Sequence, residues 1–340
     1  MGNLAIKRFF TLIMHSPDEV EIRNGVWNTT SFSLKDDHQK GILAEIVRSL
    51  DGNFSALEIA KNLNCKRKEV EDVIDYLDQL GILEDGPGSA LDYYLDTIVP
   101  TLMGSETQSE KKVILLGSSV LTQELRKLLE SSESNIKISE ITELPAQVYE
   151  NGGEWRFDGL KNTLMLEQFK SFSDSFLIGA FSSIDTLAFE AVNRASIEYG
   201  FPWLHLAVDG PMIIVGPLFT PSKGPCYECF EKRVSLNLRN HASYVDYKNA
   251  LTEKRIKNGV VPIDGILANL AASHAALEAL NFLNTGQSFT FGKALCIYIP
   301  TMEFSYNEVL RLPGCHACGS LTELEDTELY FDVRNIFNES

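Results

Sequence analysis

Four of the six cysteines form two C-x-x-C pairs, in the segments GPCYECF and PGCHACG. Four thiolates are the ligand set of a tetrahedral structural zinc site, and the short spacing lets one turn supply two sulfurs to the same metal. The sequence therefore predicts one Zn²⁺ bound by Cys226, Cys229, Cys315 and Cys318. Since four cysteines leave no open coordination position, the metal is expected to be structural rather than catalytic.

The alternative interpretation of these cysteines is two unrelated thiol pairs or a redox disulfide. An expected cytoplasmic location and the repeated spacing both favour zinc. His316 lies inside the second pair, where its spacing is wrong for a ligand if both cysteines bind, so we expect it to be exposed. Cys65 and Cys296 stand alone and are predicted to be core thiols.

The elements that must position the two pairs belong to an α/β pattern over residues 112–325. Buried strand patterns such as KKVILLGSS, NIKISEI, SFLIGAF, PWLHLAVDG and MIIVGPLF alternate with helical patterns, which predicts a doubly wound sheet. The first cysteine pair follows the strand MIIVGPLF, and the second follows the predicted strand EFSYNEVLRL. The predicted metal therefore joins a mid-chain loop to the hairpin at the end of the domain.

Residues 1–85 have a separate pattern of three short strands and three helices, which predicts a winged helix-turn-helix. Asn24-Gly25 predicts a hairpin turn between the second and third strands, FTLIMHSP being the first. Ser55 and Glu58 have the spacing of a capping box at the start of the second helix. Residues 86–111 are predicted to be a linker, and residues 326–340 a C-terminal tail.

Composition limits the function classes. The net charge of −17 argues against an extended nucleic-acid surface, which needs clustered Lys and Arg. We find no apolar run of membrane-spanning length and no signal peptide, so we expect a cytoplasmic protein without a membrane partner.

The segments VGPLFTPSKGPCYECF and RLPGCHACG, with the helix that begins near Val261-Pro262, resemble the ThiF/MoeB/ubiquitin-activating superfamily over roughly residues 112–320. Within it the chain is most similar to the ThiF-like partner proteins of YcaO azoline-forming cyclodehydratases, of the microcin and streptolysin pathways. In those proteins an N-terminal winged helix is the leader-peptide recognition element, and residues 8–85 resemble it. The resemblance implies a winged helix followed by a Rossmann-type sheet with a four-cysteine zinc knuckle.

The resemblance also implies a function. The chain would bind the leader of a ribosomally synthesised precursor peptide and present the core peptide to a separate YcaO-type cyclodehydratase. That enzyme would use ATP to form thiazoline and oxazoline rings, and an FMN-dependent dehydrogenase would be a further partner. Members of the superfamily dimerise through the α/β domain, which implies a homodimer. No catalytic residue is assigned to this chain.

An extended leader is expected to pair with the open edge of the third strand, with its side chains in a groove against the third helix. The predicted leader-binding residues are Asn28, Thr29, Thr30, Ser31 and Phe32 on the strand and Glu69, Asp72, Val73 and Tyr76 on the helix. The alternative for Val73 and Tyr76 is a packing role in the core.

Active members of the superfamily bind ATP through a G-x-G-x-x-G turn after the first strand, where glycines let backbone N–H groups approach phosphate. Here Gly117, Ser118 and Ser119 open that turn, and only the first glycine of the pattern is present. Neither Glu140 nor Glu143 is clearly placed to hold a ribose, and Asp185 lies slightly away from the expected magnesium-binding position. We therefore predict a degenerate nucleotide site and no ATP chemistry, with ATP binding through a divergent loop as the alternative.

Two other functions remain open. One is an active adenylating enzyme that acts on a peptide carboxylate. The other is a winged-helix DNA-binding regulator, since Lys66, Arg67 and Lys68 begin the third helix; the acidic segment EVEDVIDYLD that follows would repel DNA. The isolated His and Trp residues are predicted to be packing residues: Trp155, Trp203, His205 and His274.

Overall fold

The computed structural model describes residues 4–27, 31–86, 89–95, 111–117, 119–132, 135–221, 223–256 and 265–319. The chain divides into two compact units, Met1–Pro100 and Thr101–Ser340.

The N-terminal unit contains two small antiparallel sheets and a group of helices. Its elements are β1 (Leu4–Ile6), β2 (Phe10–Ser16), β3 (Glu19–Asn24), β4 (Ser31–Lys35), α1 (Leu43–Ser49), α2 (Ala56–Asn62), α3 (Arg67–Gln79), β5 (Leu83–Asp85) and α4 (Ala90–Tyr93). The strands β2, β3 and β4 form one sheet in that order, and β1 pairs with β5. One face of each longer helix is apolar, and these faces meet the sheet in a core that includes Val20, Ile46, Ile59 and Leu77.

The predicted capping box at α2 is present. The Ser55 hydroxyl accepts a hydrogen bond from the Glu58 N–H at 3.4 Å, and the Glu58 carboxylate accepts one from the Ser55 N–H at 2.9 Å. These bonds satisfy two of the amide groups that a helix start leaves unpaired, which fixes where α2 begins.

The hairpin between β3 and β4 differs from the prediction. Arg23 pairs with Ser31, so the connection between β3 and β4 is longer than a two-residue turn, and the tight turn expected at Asn24-Gly25 is wrong. Only Gly25 of that dipeptide has a positive φ, of 78°. Val26 and Trp27 are exposed and lie outside β4, which begins at Ser31.

The α/β unit is built on a seven-stranded mixed sheet. Its elements are β6 (Lys111–Leu116), α5 (Val120–Glu130), β7 (Ile136–Ile141), α6 (Gly159–Glu167), β8 (Phe176–Phe181), α7 (Thr186–Tyr199), β9 (Trp203–Asp209), β10 (Met212–Phe219), α8 (Tyr227–Asn237), α9 (His241–Thr252), α10 (Gly265–Thr285), β11 (Lys293–Tyr298) and β12 (Glu303–Glu308). The strand order is β7-β6-β8-β9-β10-β11-β12. The strands from β7 to β9 are parallel, and the later pairs are antiparallel.

Helices cover both faces of this sheet, as the alternating pattern predicts. One core joins Leu121 and Leu125 of α5 to the alanine-rich face of α10 and to strand residues such as Leu115 and Val215. The other core joins Phe189 of α7 to aromatic residues that follow β10 in sequence, on α8. The second core carries the helix that holds the first cysteine pair.

The helix α10 is long and apolar enough to span a membrane by length and composition alone, so the expectation of no apolar run of that length is wrong. Half of its most apolar window is buried, and Ala271, Ala275 and Ala279 pack into the sheet core. Small residues on that face let the helix approach the strands closely. This packing is that of a core helix.

Candidate functional site

The four predicted cysteines lie together in the α/β unit. Cys226 precedes the first turn of α8 and Cys229 lies within that turn, while Cys315 and Cys318 lie in the turns after β12. Their sulfur atoms all lie within 4.8 Å of one another. We call these four residues the cysteine cluster. The two pairs are far apart in the sequence, and their shared C-x-x-C spacing was the signal that predicted their proximity.

The sulfur separations fit a tetrahedral metal. The Sγ of Cys226 lies 3.8 Å from that of Cys229 and 3.7 Å from that of Cys315, and the Sγ atoms of Cys229 and Cys318 are 3.6 Å apart. A tetrahedron with zinc–sulfur distances of about 2.3 Å has edges of about 3.8 Å. The cluster can therefore hold a metal ion such as zinc without rearrangement, and all four cysteines are free thiols.

The surroundings of the cluster favour a bound cation. Burial raises the pKa of the Cys318 thiol to about 11. The Cys226 thiol donates a hydrogen bond to Cys229, which raises the pKa of Cys226 and lowers that of Cys229. Four thiolates at this spacing repel one another, and a divalent cation compensates that repulsion. The backbone N–H of Leu312 also donates to the Cys229 sulfur at 3.3 Å.

The backbone conformation and close packing around the two cysteine pairs explain the glycines at these positions. Gly224 and Gly314 have φ angles of 75° and 66°, which favour glycine, at the turns that enter each pair. A Cβ on Gly319 would lie 2.5 Å from the carbonyl oxygen of Cys315. His316 is exposed, as expected for a residue that does not ligate the metal.

The N-terminal unit contains a groove between β4 and α3, with a volume of about 610 Å³. We call it the N-terminal groove. It is lined by Ser33, Leu34, Lys35, Asp36, Asp37, His38, Lys40, Ile42, Leu43, Ile46, Glu69, Asp72, Val73 and Tyr76. All four helix residues predicted to bind a ligand therefore line one groove. The loop after β4, with Asp36 to Lys40, completes it and was not predicted from the sequence.

The strand side of the groove is an open sheet edge. Among the described residues β4 pairs only with β3, so the other edge of β4 has no strand partner. Ser31 and Phe32 lie on β4, and Phe32 packs against the core of the unit. The predicted residues Asn28, Thr29 and Thr30 lie outside the described part of the chain.

The four predicted residues on α3 differ in whether they already contact other parts of the N-terminal unit. The Lys40 ammonium lies 2.8 Å from the Glu69 carboxylate and holds the pKa of that carboxyl below its usual value. Val73 is half-buried and packs against the core, so it contributes both to packing and to the groove. Tyr76 is 50% exposed, so the alternative of a core role is wrong for this residue. Val70 and Leu77, on the same helix, are fully buried.

The turn after β6 is explained largely by packing. A Cβ on Gly117 would lie 2.2 Å from the carbonyl oxygen of Ala180 on β8, so the glycine is required by the neighbouring strand. Ser118 lies outside the described residues. The hydroxyls of Ser119 and Thr122 are buried and have no hydrogen-bond partner among the described residues.

The acidic residues near this turn make other contacts. Glu140 forms an ion pair with Arg126 at 3.1 Å. The Asp185 carboxylate caps α7 by accepting a hydrogen bond from the Ala188 N–H at 3.0 Å, and it also accepts one from the Tyr149 hydroxyl at 2.9 Å. Binding of a ribose or a metal by these carboxylates would have to replace existing interactions.

A second cavity, of about 730 Å³, lies at the carboxyl ends of β8 and β9 against α8 and α9. We call it the sheet-edge cavity. It is lined by Ser183, Ile184, His205, Val208, Asp209, Gly210, Ile214, Tyr227, Phe230, Glu231, Val234, Leu238, Arg239, Asn240, Ser243, Tyr244, Tyr247 and Ile256. No sequence pattern indicated it, because its walls combine β9, β10, α8, α9 and adjoining loops, whose relative placement is set by the tertiary structure.

His205 is 1% exposed, and its Nδ1 lies 3.0 Å from the carbonyl oxygen of Gly216. Because a carbonyl only accepts, Nδ1 donates the bond and Nε2 is the acceptor of the neutral ring. Burial lowers the pKa of His205 from 6.5 to about 4. The ring is therefore neutral at physiological pH.

This burial predicts a pH dependence of stability. Below pH 6.5 the unfolded chain binds a proton that the folded chain excludes down to about pH 4, so stability falls as the pH decreases through this range. We expect His205 to account for about 2 kcal/mol of the stability lost between about pH 7 and pH 5. Urea denaturation at both pH values should show a correspondingly smaller loss for His205→Gln. An equal loss in both proteins would contradict a neutral, buried ring.

Comparison with known proteins identifies the fold. No protein-family model and no curated protein matches the chain. The heterocyclase TruD is similar in structure, with a TM-score of 0.66 and 19% identity over 93% of this chain and 42% of TruD. A heterocyclase in complex with substrate and cofactor matches with a TM-score of 0.67 and 14% identity over 93% of this chain and 39% of its own. MccB from E. coli, with ATP, matches with a TM-score of 0.53 and 14% identity over 93% of this chain and 99% of MccB.

These similarities show that the chain shares the fold of two heterocyclases and of MccB. The chain spans less than half the length of the two heterocyclases. At such low identities the likeness concerns the fold, and residues of the sites must be judged by their own geometry.

Proposed function

We propose that the N-terminal unit captures the leader of a ribosomal precursor peptide and presents its core to a YcaO-type cyclodehydratase that forms azoline rings. The observation that carries this proposal is the N-terminal groove, which lies between an open strand edge and α3. An extended peptide gains affinity by pairing its backbone with such an edge, and it gains specificity from side chains placed in the adjacent groove.

Leader capture requires no chemistry of this chain. A bound leader holds the attached core peptide at a high effective concentration near the active site of the partner enzyme. The cyclodehydratase would then supply the ATP chemistry, and an FMN-dependent dehydrogenase would act after it. We propose a leader-recognition winged helix over residues 1–85, a linker over 86–111, a ThiF/MoeB-like domain over 112–325 and a tail over 326–340.

The fold comparisons support this proposal. One matched heterocyclase was solved with its substrate, and MccB was solved with MccA. In the α/β unit we propose that the cysteine cluster binds one structural Zn²⁺, because its four thiols have the donor set and spacing for it. A homodimer through this unit and a cytoplasmic location complete the proposal.

Fluorescence polarisation with a labelled leader tests the proposal directly. The probe is a synthetic leader of a candidate precursor peptide, sought among the short genes beside the gene for this chain, and it is titrated with the full-length protein. We expect saturable binding, and no binding of a scrambled leader of identical composition. Equal binding of the two peptides would exclude sequence-specific leader capture.

The second candidate function is ATP-dependent adenylation of a peptide carboxylate. Two observations favour it: the match to nearly all of MccB, and the two unpaired hydroxyls of Ser119 and Thr122 at the start of α5. Against it, Glu140 and Asp185 are engaged with other residues.

ATP–pyrophosphate exchange distinguishes the two functions. We expect this chain, with or without precursor peptide, to exchange no pyrophosphate above a protein-free background, because its turn lacks the later glycines that let backbone amides approach phosphate. An active adenylating member of the ThiF/MoeB superfamily provides the positive control. Exchange that depends on the precursor peptide would establish the adenylation function instead.

A further inference from the structure

The sheet-edge cavity takes no part in the leader capture proposed above. It lies entirely in the α/β unit, at the carboxyl ends of parallel strands, where open α/β sheets commonly bind ligands. Its volume of about 730 Å³ is large enough for a small molecule or for a large side chain of a peptide.

Two polar side chains in its wall lack partners. His205 donates a hydrogen bond from Nδ1 to the carbonyl oxygen of Gly216, which leaves Nε2 as an acceptor without a partner among the described residues. The residue is only 1% exposed. The hydroxyl of Tyr227, a residue 2% exposed, also has no hydrogen-bond partner among the described residues. A polar atom on a cavity wall that has no protein partner is available for a hydrogen bond with a ligand.

Glu231 and the two tyrosines of α9 in the wall already have partners, and the charged residues Asp209 and Arg239 are exposed. The Tyr244 hydroxyl and the Lys248 ammonium each lie 2.7 Å from the Glu231 carboxylate, and both donate to it. The Tyr247 hydroxyl donates to the carbonyl oxygen of Ile184 at 2.6 Å. Because Glu231 is already compensated, the interior offers a charged ligand no free counter-charge, and a buried uncompensated charge is costly.

The surroundings of His205 are aromatic. The ring centroids of Phe189, Phe230 and Tyr227 lie 4.4, 5.6 and 5.9 Å from that of His205. Planar rings pack well in such an environment, in offset or edge-to-face arrangements. The ligand therefore needs three properties: it is neutral, it has an aromatic body, and it donates a hydrogen bond.

We propose that the sheet-edge cavity binds a neutral aromatic group that carries an O–H or N–H donor, such as a phenol ring, with the donor directed at His205 Nε2. The ring can belong to a tyrosine side chain of a peptide or to a free phenol. Both sources share the same recognition chemistry.

The matched probes p-cresol and toluene test this recognition, since they differ only in the hydroxyl group. Titrations followed by ligand-observed NMR should show that p-cresol binds about 3- to 10-fold more tightly than toluene, as expected for one buried hydrogen bond. His205→Phe should abolish this preference while keeping an aromatic wall. Equal affinities in the wild-type protein, or a preference that persists in His205→Phe, would overturn the proposal.

The location is tested by blocking the cavity from its exposed rim. Val234 is 41% exposed and lines the cavity, while Val245 is 40% exposed and lies outside it. We expect Val234→Trp to abolish p-cresol binding and Val245→Trp to leave it unchanged. Equal binding of p-cresol by the two variants would contradict the assignment of its site to the sheet-edge cavity.

A peptide arm identifies the source of the ring. Binding of N-acetyl-tyrosinamide in competition with p-cresol would support a peptide side chain, and binding of p-cresol alone would support a free phenol. These experiments involve no leader peptide, so their failure would leave leader capture untouched.

Discussion

Replacement of Cys229 by serine is expected to release the metal and to lower the free energy of unfolding of the α/β unit by about 4 kcal/mol or more. Cys229 is completely buried, and its sulfur lies within 3.8 Å of two other thiols of the cluster. A serine oxygen is a poorer zinc ligand than a thiolate, and the remaining cysteines would stay crowded without a cation. Cys229→Ser should therefore lower the free energy of unfolding by far more than the loss of one buried sulfur atom would.

The loss should begin locally. Ile197, Leu312 and Ala317 pack against the cysteine cluster, so release of the metal uncouples the segment after β12 from the start of α8. The helix α8 also carries Tyr227 and Phe230 into the aromatic core of the sheet. Hydrogen exchange should thus accelerate first in residues 310–319 and in α8, and only later in the central strands.

Metal analysis and thermal denaturation provide the measurement. We expect one equivalent of zinc in the wild-type protein and none in Cys229→Ser, with a chelator lowering the melting temperature of the wild type alone. Cys296→Ser is the matched control, because Cys296 is also a buried cysteine but lies in β11, outside the cluster. A Cys229→Ser variant that keeps one equivalent of metal would disprove the four-cysteine site.

The cysteine cluster could be predicted from sequence because its information is local. Each C-x-x-C pair indicates a tight turn in its own segment. The duplicated spacing implies a common metal, although Cys226 and Cys315 are far apart in the chain. The strands and the longer helices were predictable for a similar reason. Burial on one face or on both faces imposes a periodicity that any short window of sequence shows.

Elements that are positioned by polar contacts were not predicted from the sequence. The helix α9 has no buried residue, so it shows no apolar period. It is held instead through Tyr244, Tyr247 and Lys248, whose hydrogen bonds reach Glu231, Ile184 and Glu190. Partners of this kind are set by the tertiary structure, which a single sequence does not reveal.

The start of β4 shows a second limit. Val26 and Trp27 have high β-propensity, yet Trp27 is 99% exposed and the strand begins at Ser31, where pairing with β3 begins. Strand propensity reflects how well a residue fits a half-buried pleated surface, so it cannot fix a boundary that pairing decides. His205 is a third case: it was assigned to packing, and only the structure shows that it also lines a cavity.

Tyr76→Ala is expected to weaken leader binding by about tenfold, which corresponds to the loss of about 1.4 kcal/mol from one aromatic contact. Tyr76 lines the N-terminal groove and is half exposed, so its ring is available to a peptide paired with β4. Truncation of a half-exposed side chain costs the unit little stability. The effect on affinity should therefore be separable from any effect on folding.

Asp75→Ala is the matched control for this variant. Asp75 is the preceding residue of α3, is exposed and does not line the groove, so its replacement should change leader affinity by less than about twofold. Polarisation titrations of the full-length proteins, with melting temperatures measured in parallel, provide the comparison. If the two variants bind the leader equally well, the peptide does not occupy the groove beside α3. A loss of affinity confined to Tyr76→Ala, at unchanged melting temperature, can arise only from a contact with the peptide, because the two positions share one helix and differ in which side of it they occupy.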